Sequence, residues 1–448
     1  MSPDGKVTDA AIAPPAAEQP LDRDRIPDRR PLVGSLIATF FSQAAVVVTG
    51  ILTARSLGPT DRGYWALLVL VPAILQQLGT LGLPLATTYF IASDRSKESA
   101  VLRAIRNPAI AQVLALTIIQ GAVLWFLVAG DPNRVRLAAA ASLLLIAGSV
   151  ADMYGKAILQ GQGRFTALNI VRPATVTFAL VGIVILFARG DARLAPVAAV
   201  WVAATLVGGA VTLAVALARR QRRDRQEPPV ARGPMVRFGL RGLLGSASPI
   251  ETFRVDQAAI GLVLPAQELG LYVAALSFTN LPALISRSVG MIALPQVART
   301  SARGSSDVWR FFWISVVLTG IVVAVLELWA GFLVPLFFGQ DFEEAVPMTR
   351  ILLVGAFLYA ARRVLTDGVS GSGMPGLGSI AELSSWFVLI PLMAILVGPW
   401  GAEGVATSLT ISAAFSLVLL VVLFRRAERR TPTPKAPVPV ARPYEEPL

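Results

Sequence analysis

The sequence predicts an all-α polytopic membrane protein of about twelve transmembrane helices, arranged as two parallel-repeat six-helix bundles around a central cavity. Three observations lead there: composition, recurring apolar runs and an internal repeat. Of the 448 residues, 54% are hydrophobic and 15% charged, against about a quarter charged in soluble domains, so a water-soluble fold of this make-up would lack a surface. The apolar runs are about 20 residues long, enough to cross about 30 Å of hydrocarbon as a helix.

Taken in order, residues 1–31 are rich in Pro, Ala and alternating charge, with no apolar run. They read as a disordered cytoplasmic tail and not as a signal peptide. Helices are expected over 32–54, 64–92, 108–129, 135–158, 165–188 and 194–218, then over 236–264, 269–297, 306–331, 346–370, 376–398 and 401–424. Between the two sets, 219–235 carries a dense run of Arg with Pro228 and Pro229 and reads as a basic cytoplasmic linker joining bundles 32–218 and 236–424; 425–448 reads as a basic, Pro-rich tail. With the N-terminus inside, about 29 of the 40 Lys and Arg fall in inner tails and loops, Arg362 and Arg363 among them, and about 7 in outer loops. The positive-inside rule then makes both termini cytoplasmic.

The halves repeat. Leu57, Asp61 and Gly63, followed by an aromatic and Ala/Leu-rich run, recur 207 residues later as Leu264, Glu268 and Gly270; Gly161 and Gly163 recur 210 residues later as Gly371 and Gly373. An even number of spans per half makes the repeats parallel, with substrate bound between them.

The chain has no Cys and no His, which excludes disulfides, thiolate and imidazole catalysis and the usual zinc or iron sites. No metal and no cofactor is expected. The formal charge of +12 does not point to nucleic acid, because the Lys and Arg lie in short blocks between apolar segments. The Gly-rich stretch Ser370–Gly378 lacks the Lys and Ser/Thr of a P-loop and reads as a turn between helices.

Several segments carry a family likeness: Ala54–Leu67 (ARSLGPTDRGYWAL), Phe253–Leu276 (FRVDQAAIGLVLPAQELGLYVAAL), Ala293–Arg299 (ALPQVAR) and Pro335–Leu352 (PLFFGQDFEEAVPMTRIL). In this order they resemble the polysaccharide or O-antigen repeat-unit flippase-like proteins of the multidrug/oligosaccharidyl-lipid/polysaccharide exporter superfamily. The resemblance implies two bundles rocking about the cavity, lined by the first and seventh helices, in the cell inner (plasma) membrane. It implies as cargo a lipid-linked oligosaccharide on polyprenyl pyrophosphate, and as partners the glycosyltransferases and polymerase of the same pathway. Twelve spans instead of fourteen weigh against the lipid II flippase branch.

The residues themselves carry candidate chemistry. At about 100° per residue, Ser35, Thr39, Ser42, Gln43, Thr49, Gly50 and Thr53 share one face of the first helix, facing polar cargo or allowing close helix packing. The seventh has a stripe of Arg237, Arg241, Gly245, Ser248 and Thr252. Ionisable groups in hydrocarbon cost roughly 2.5–3.5 kcal/mol each and call for a partner or a function. Arg172, Arg241 and Arg287 fall in the cytoplasmic third of their spans, where three cations at one level suit a pyrophosphate. Arg254, a fourth cavity candidate, is spaced for an ion pair with Glu251, and Asp256 follows on another face. Glu251, Asp256 and Glu382 are candidates for gating or ion coupling. Arg172 and Glu382 occupy matching repeat positions; they attract across the pseudo-twofold axis, or each pairs within its own half. Arg55, near an outer helix end, is expected to snorkel. The competing functions are a cation-coupled multidrug exporter, disfavoured by the excess of Arg over acids in the spans, a lipid II-type flippase, and a membrane glycosyltransferase or polymerase, disfavoured by short outer loops.

Overall fold

A computed structural model describes residues 30–218, 231–245, 254–300 and 306–430. Nine helices among them are long and apolar enough to cross a membrane. Helix α1 (Arg30–Gly79) holds two spans, because Gly58 adopts φ 67°, ψ 174° and Pro59 restarts the helix. Proline suits that place: its missing N–H is surplus in a first turn. The loop expected at 55–63 is therefore only a kink. The second span continues through α2 (Leu83–Ser93), after a break at Leu81 and Gly82, both left-handed. Spans three to six are α3 (Glu98–Val128), α4 and α5 (Asn133–Ser142, Leu145–Gly161), α6 and α7 (Phe165–Val171, Ala174–Ala188) and α8 (Leu194–Ala218).

Of the expected seventh span, the described residues comprise α9 (Arg232–Gly245) and α10 (Val255–Val263), the latter starting from a left-handed Arg254 at φ 46°; residues 246–253 lie outside them. Helix α9 also takes over the last residues of the expected linker. The eighth span is α11 (Ala266–Leu276), a single 3₁₀ turn and α12 (Asn280–Thr300); the ninth and tenth are α13 (Ser306–Phe338) and α14 (Ala345–Gly371). Helix α15 (Pro375–Arg430) holds the last two, divided at Gly401, φ 54°. Its final turns overrun the tail expected from 425, since the Trp309 indole donates to Glu428 at 3.0 Å and the Arg425 guanidinium covers the Trp309 ring. With α1 and α15 each holding two spans, the described helices follow the expected order through both halves, an all-α polytopic fold.

Breaks inside a membrane leave carbonyls that water cannot satisfy, so side chains must. The Gln112 amide donates to the Thr80 carbonyl at 3.1 Å and accepts from the Tyr154 hydroxyl at 2.8 Å. Buried Gln120 donates to the Ser142 carbonyl at 3.0 Å, where α4 passes into α5.

The two repeated glycine motifs have distinct roles. After α5, the Arg164 amide bonds the Leu159 carbonyl and the Gly163 amide the Gln160 carbonyl; after α14, the Met374 amide bonds Val369 and the Gly373 amide Ser370. Both are Schellman turns with glycine at the left-handed position, φ 65° and 87°. The Gly-rich stretch is thus an inter-helix turn.

The other pair forms a seam between the halves. A Cβ on Gly63 would strike the Ala266 carbonyl and the Gly270 amide nitrogen; a Cβ on Gly270 would strike the Pro59 carbonyl and the Gly63 nitrogen. Pro59 and Ala266 are themselves 207 residues apart, so the contact is reciprocal about the pseudo-twofold axis.

Polar contacts define two ends. At the basic end, Gln162 donates to Glu98 (2.7 Å) and to the Ala216 carbonyl (3.2 Å), and Arg164 to the Val215 carbonyl (2.9 Å). In the adjoining turn, bonds from the Ser96 hydroxyl and from Lys97 hold the Asp94 carboxyl down at about 2. At the opposite end lie the glycine seam, the Tyr64–Asp131 hydrogen bond (2.6 Å) and the Arg134–Asp61 pair (3.2 Å).

Candidate functional site

The polar face expected on the first span divides. Towards the seam, Thr49 and Thr53 are buried, and the Thr53 hydroxyl bonds the Thr49 carbonyl of its own helix at 2.8 Å. There the small polar residues serve packing. Towards the basic end, Thr39 is exposed and Gln43 half-buried. The Arg172 guanidinium, at the junction of α6 and α7, donates to the Thr39 hydroxyl at 3.1 Å. Ser35 lies within α1.

Arg241 sits on α9, exposed, and its guanidinium makes no polar contact among the described residues. Although α9 begins the second half, it packs on α2 of the first. Gly239 and Gly82 bring the two backbones together, and Phe238 stacks on Tyr89 with centroids 4.4 Å apart. That approach explains both glycines, since a methyl on either would strike the other's backbone.

A second group forms within the C-terminal half. Asp256 on α10 is 2% exposed; one carboxylate oxygen accepts from the Tyr272 hydroxyl at 2.8 Å, and the other has no hydrogen-bond partner among the described residues. Asp256 lines a cavity of about 190 Å³ with Thr279, Asn280, Arg287, Tyr359 and Thr410. An orphaned carboxylate oxygen among hydroxyl and amide groups suits a proton or a small cation.

The structure thus joins Arg172 to Thr39, and Arg287 to Asp256 through a shared cavity. Arg241 stands apart on α9. Glu251, and with it the Glu251–Arg254 pair, lies outside the described residues; Arg254 itself is left-handed at the start of α10. In this conformation Glu382 pairs with Arg362, within its own half. Arg362, counted as a loop cation from the sequence, is 4% exposed inside α14, with Tyr359 beneath its guanidinium and the Ser416 hydroxyl at 3.4 Å. Only its repeat position hinted at this: Asp152 and Arg172 stand 210 residues before Arg362 and Glu382, with the charges reversed. Nor does Arg55 simply snorkel. It donates to the Phe337 carbonyl at 2.8 Å and to the Leu336 carbonyl, capping α13 across the seam.

The architecture is an all-α polytopic membrane fold. Residues 33–301 match the polysaccharide biosynthesis protein family, and the chain belongs to it. A relative in Mesorhizobium japonicum, described as "Probable multidrug resistance protein NorM", is 25% identical over 92% of this chain and 96% of its own. The fold is similar to that of a lipid II flippase, MurJ, in an inward closed conformation, with TM-score 0.70, 15% identity and coverage of 88% of this chain and 87% of that one. It is also similar to an inward-facing multidrug resistance MATE family transporter, with TM-score 0.68, 17% identity and coverage of 89% and 98%.

Proposed function

We propose that this protein is a non-enzymatic, alternating-access flippase that moves a polyprenyl-pyrophosphate-linked oligosaccharide from the inner to the outer leaflet for cell-surface polysaccharide assembly. It works in the plasma membrane with both termini cytoplasmic, alongside the glycosyltransferases and polymerase that make and consume its cargo. The observation that carries this reading is Arg241, an exposed guanidinium with no polar contact among the described residues, on a helix that packs against α2 of the other half. Arg matches the two-oxygen face of a phosphate with a planar fork. Arg172, steadied by Thr39, and Arg287 supply further positive charge. The family match supports the polysaccharide pathway.

The test is reconstitution with a labelled polyprenyl-linked sugar, scoring its exposure in the far leaflet. Arg241→Lys keeps the charge but loses the fork and should transport weakly; Arg241→Ala and then Arg241→Glu should fail more severely at equal protein level. Normal export by a well-expressed Arg241→Glu protein overturns the reading. Asp256 supports a second element, ion coupling. Asp256→Asn keeps the shape but not the charge, and it should abolish the dependence of flipping on an imposed proton or sodium gradient. Unchanged gradient dependence would remove Asp256 from that role.

A further inference from the structure

A groove of about 540 Å³ opens between α3 and α8, with α5 as its floor. Its walls are Leu102, Ile105, Val113, Val150 and Leu213, apolar throughout, and Arg103 and Arg106 stand exposed at its mouth. The mouth lies at the basic end, where α3 begins and α5 and α8 finish. From Arg103 to Leu114 the groove follows twelve residues of α3, about 16 Å of helix and so about the depth of one leaflet.

The internal repeat shows what closing such a groove takes. At the positions 207 residues beyond Leu102 and Ile105 stand Trp309 and Phe312, which with Phe424 of α15 fill the corresponding place. Those rings pack together, Trp309 with centroids 5.6 Å from Phe312 and 5.7 Å from Phe424, in a buried cluster. The N-terminal half has aliphatic side chains where its counterpart has aromatic ones, and the space stays open.

We infer that this groove is a binding site for an anionic glycerophospholipid of the inner leaflet, its acyl chain lying along α3 and its phosphate held by Arg103 and Arg106. Charge and shape favour this occupant. An apolar slot one leaflet deep ends in two guanidinium groups at the level where the headgroup of an inner-leaflet lipid lies. The inference rests on the proposed orientation and not on the identity of the cargo.

The probe is a phosphatidylglycerol with a diazirine in its acyl chain, photolysed with the full-length protein in nanodiscs. Adducts are expected on Ile110, Val113 and Leu114. Installing the rings of the other half, as Leu102→Trp with Ile105→Phe and Leu217→Phe, should abolish them. Should that variant misfold, the surface changes Arg103→Gln and Arg106→Gln decide: the preference for phosphatidylglycerol over phosphatidylcholine should fall about fivefold per arginine removed, at roughly the strength of one cation beside an anionic headgroup. Adducts spread evenly around the bundle, or an unchanged preference in the arginine variants, overturn the site. So does displacement of the probe by a short-chain polyprenyl diphosphate but not by unlabelled phosphatidylglycerol, which would assign the groove to the cargo's tail.

Discussion

At the scale of single residues, the informative side chains are charged groups that found partners and charged groups that did not. Arg362 and Glu382 form a buried pair with side-chain exposures of 5% and 24%. Removing one member of such a pair leaves the other charge without compensation, at about 3–5 kcal/mol for full burial, whereas replacing both by apolar side chains is far milder. Glu382 keeps some access, so Arg362→Met should cost about 2–3 kcal/mol. Thermal unfolding in detergent would measure this, and Arg362→Met with Glu382→Leu should recover most of the loss. A double variant as unstable as the single one would show that the arginine matters through packing on Tyr359. The pair was invisible to sequence reasoning because its partners sit 20 residues apart on different helices. Arg362 therefore reads as one more loop cation next to Arg363. Arg241, by contrast, carries its own signal in the sequence, as a cation on a polar helical stripe, and its role in binding is for the proposed variants to decide.

At the scale of elements, periodicity and length gave the order of the spans, and the breaks inside them escaped. An apolar run reports that a segment belongs in hydrocarbon, but a two-residue change of backbone leaves its hydropathy untouched. Leu81 and Arg254 carry no mark of their left-handed conformations, whereas Gly58 and Gly401, beside prolines, do. The repeated motif at Gly63 and Gly270 was read as a sign of duplication, and its second meaning, a backbone seam, needed coordinates. In an exposed helix Gly→Ala stabilises by about 1 kcal/mol; at this seam the methyl has no room. Gly63→Ala and Gly270→Ala should each force the seam apart. With spin labels on cysteines at Thr60 and Gln267, both beside the seam, the measured distance distribution should shift longer in either variant. An unmoved distribution would mean the seam is slack.

At the scale of the whole molecule, the proposed topology puts the basic end in the cytoplasm on the distribution of Lys and Arg. Because the chain has no cysteine, a single introduced one reports its own location. A cysteine at Lys97 should be shielded from an impermeant thiol reagent in intact cells, and one at Gln340, exposed beyond the seam, should react; the reverse pattern inverts the topology. The seam sets the mechanics of whatever the two halves do. It lies on the axis that relates them, at one extremity of the molecule, so a rotation that keeps it shut treats it as a fulcrum with the second span as lever arm. From Gly63 to Ser93 that arm is about 45 Å at 1.5 Å per residue, and turning each half by about 5° would part the far ends by about 8 Å. Under the proposed rocking motion, two glycines that touch backbone to backbone would act as a pivot, turning a few degrees into a separation of several ångströms at the far end.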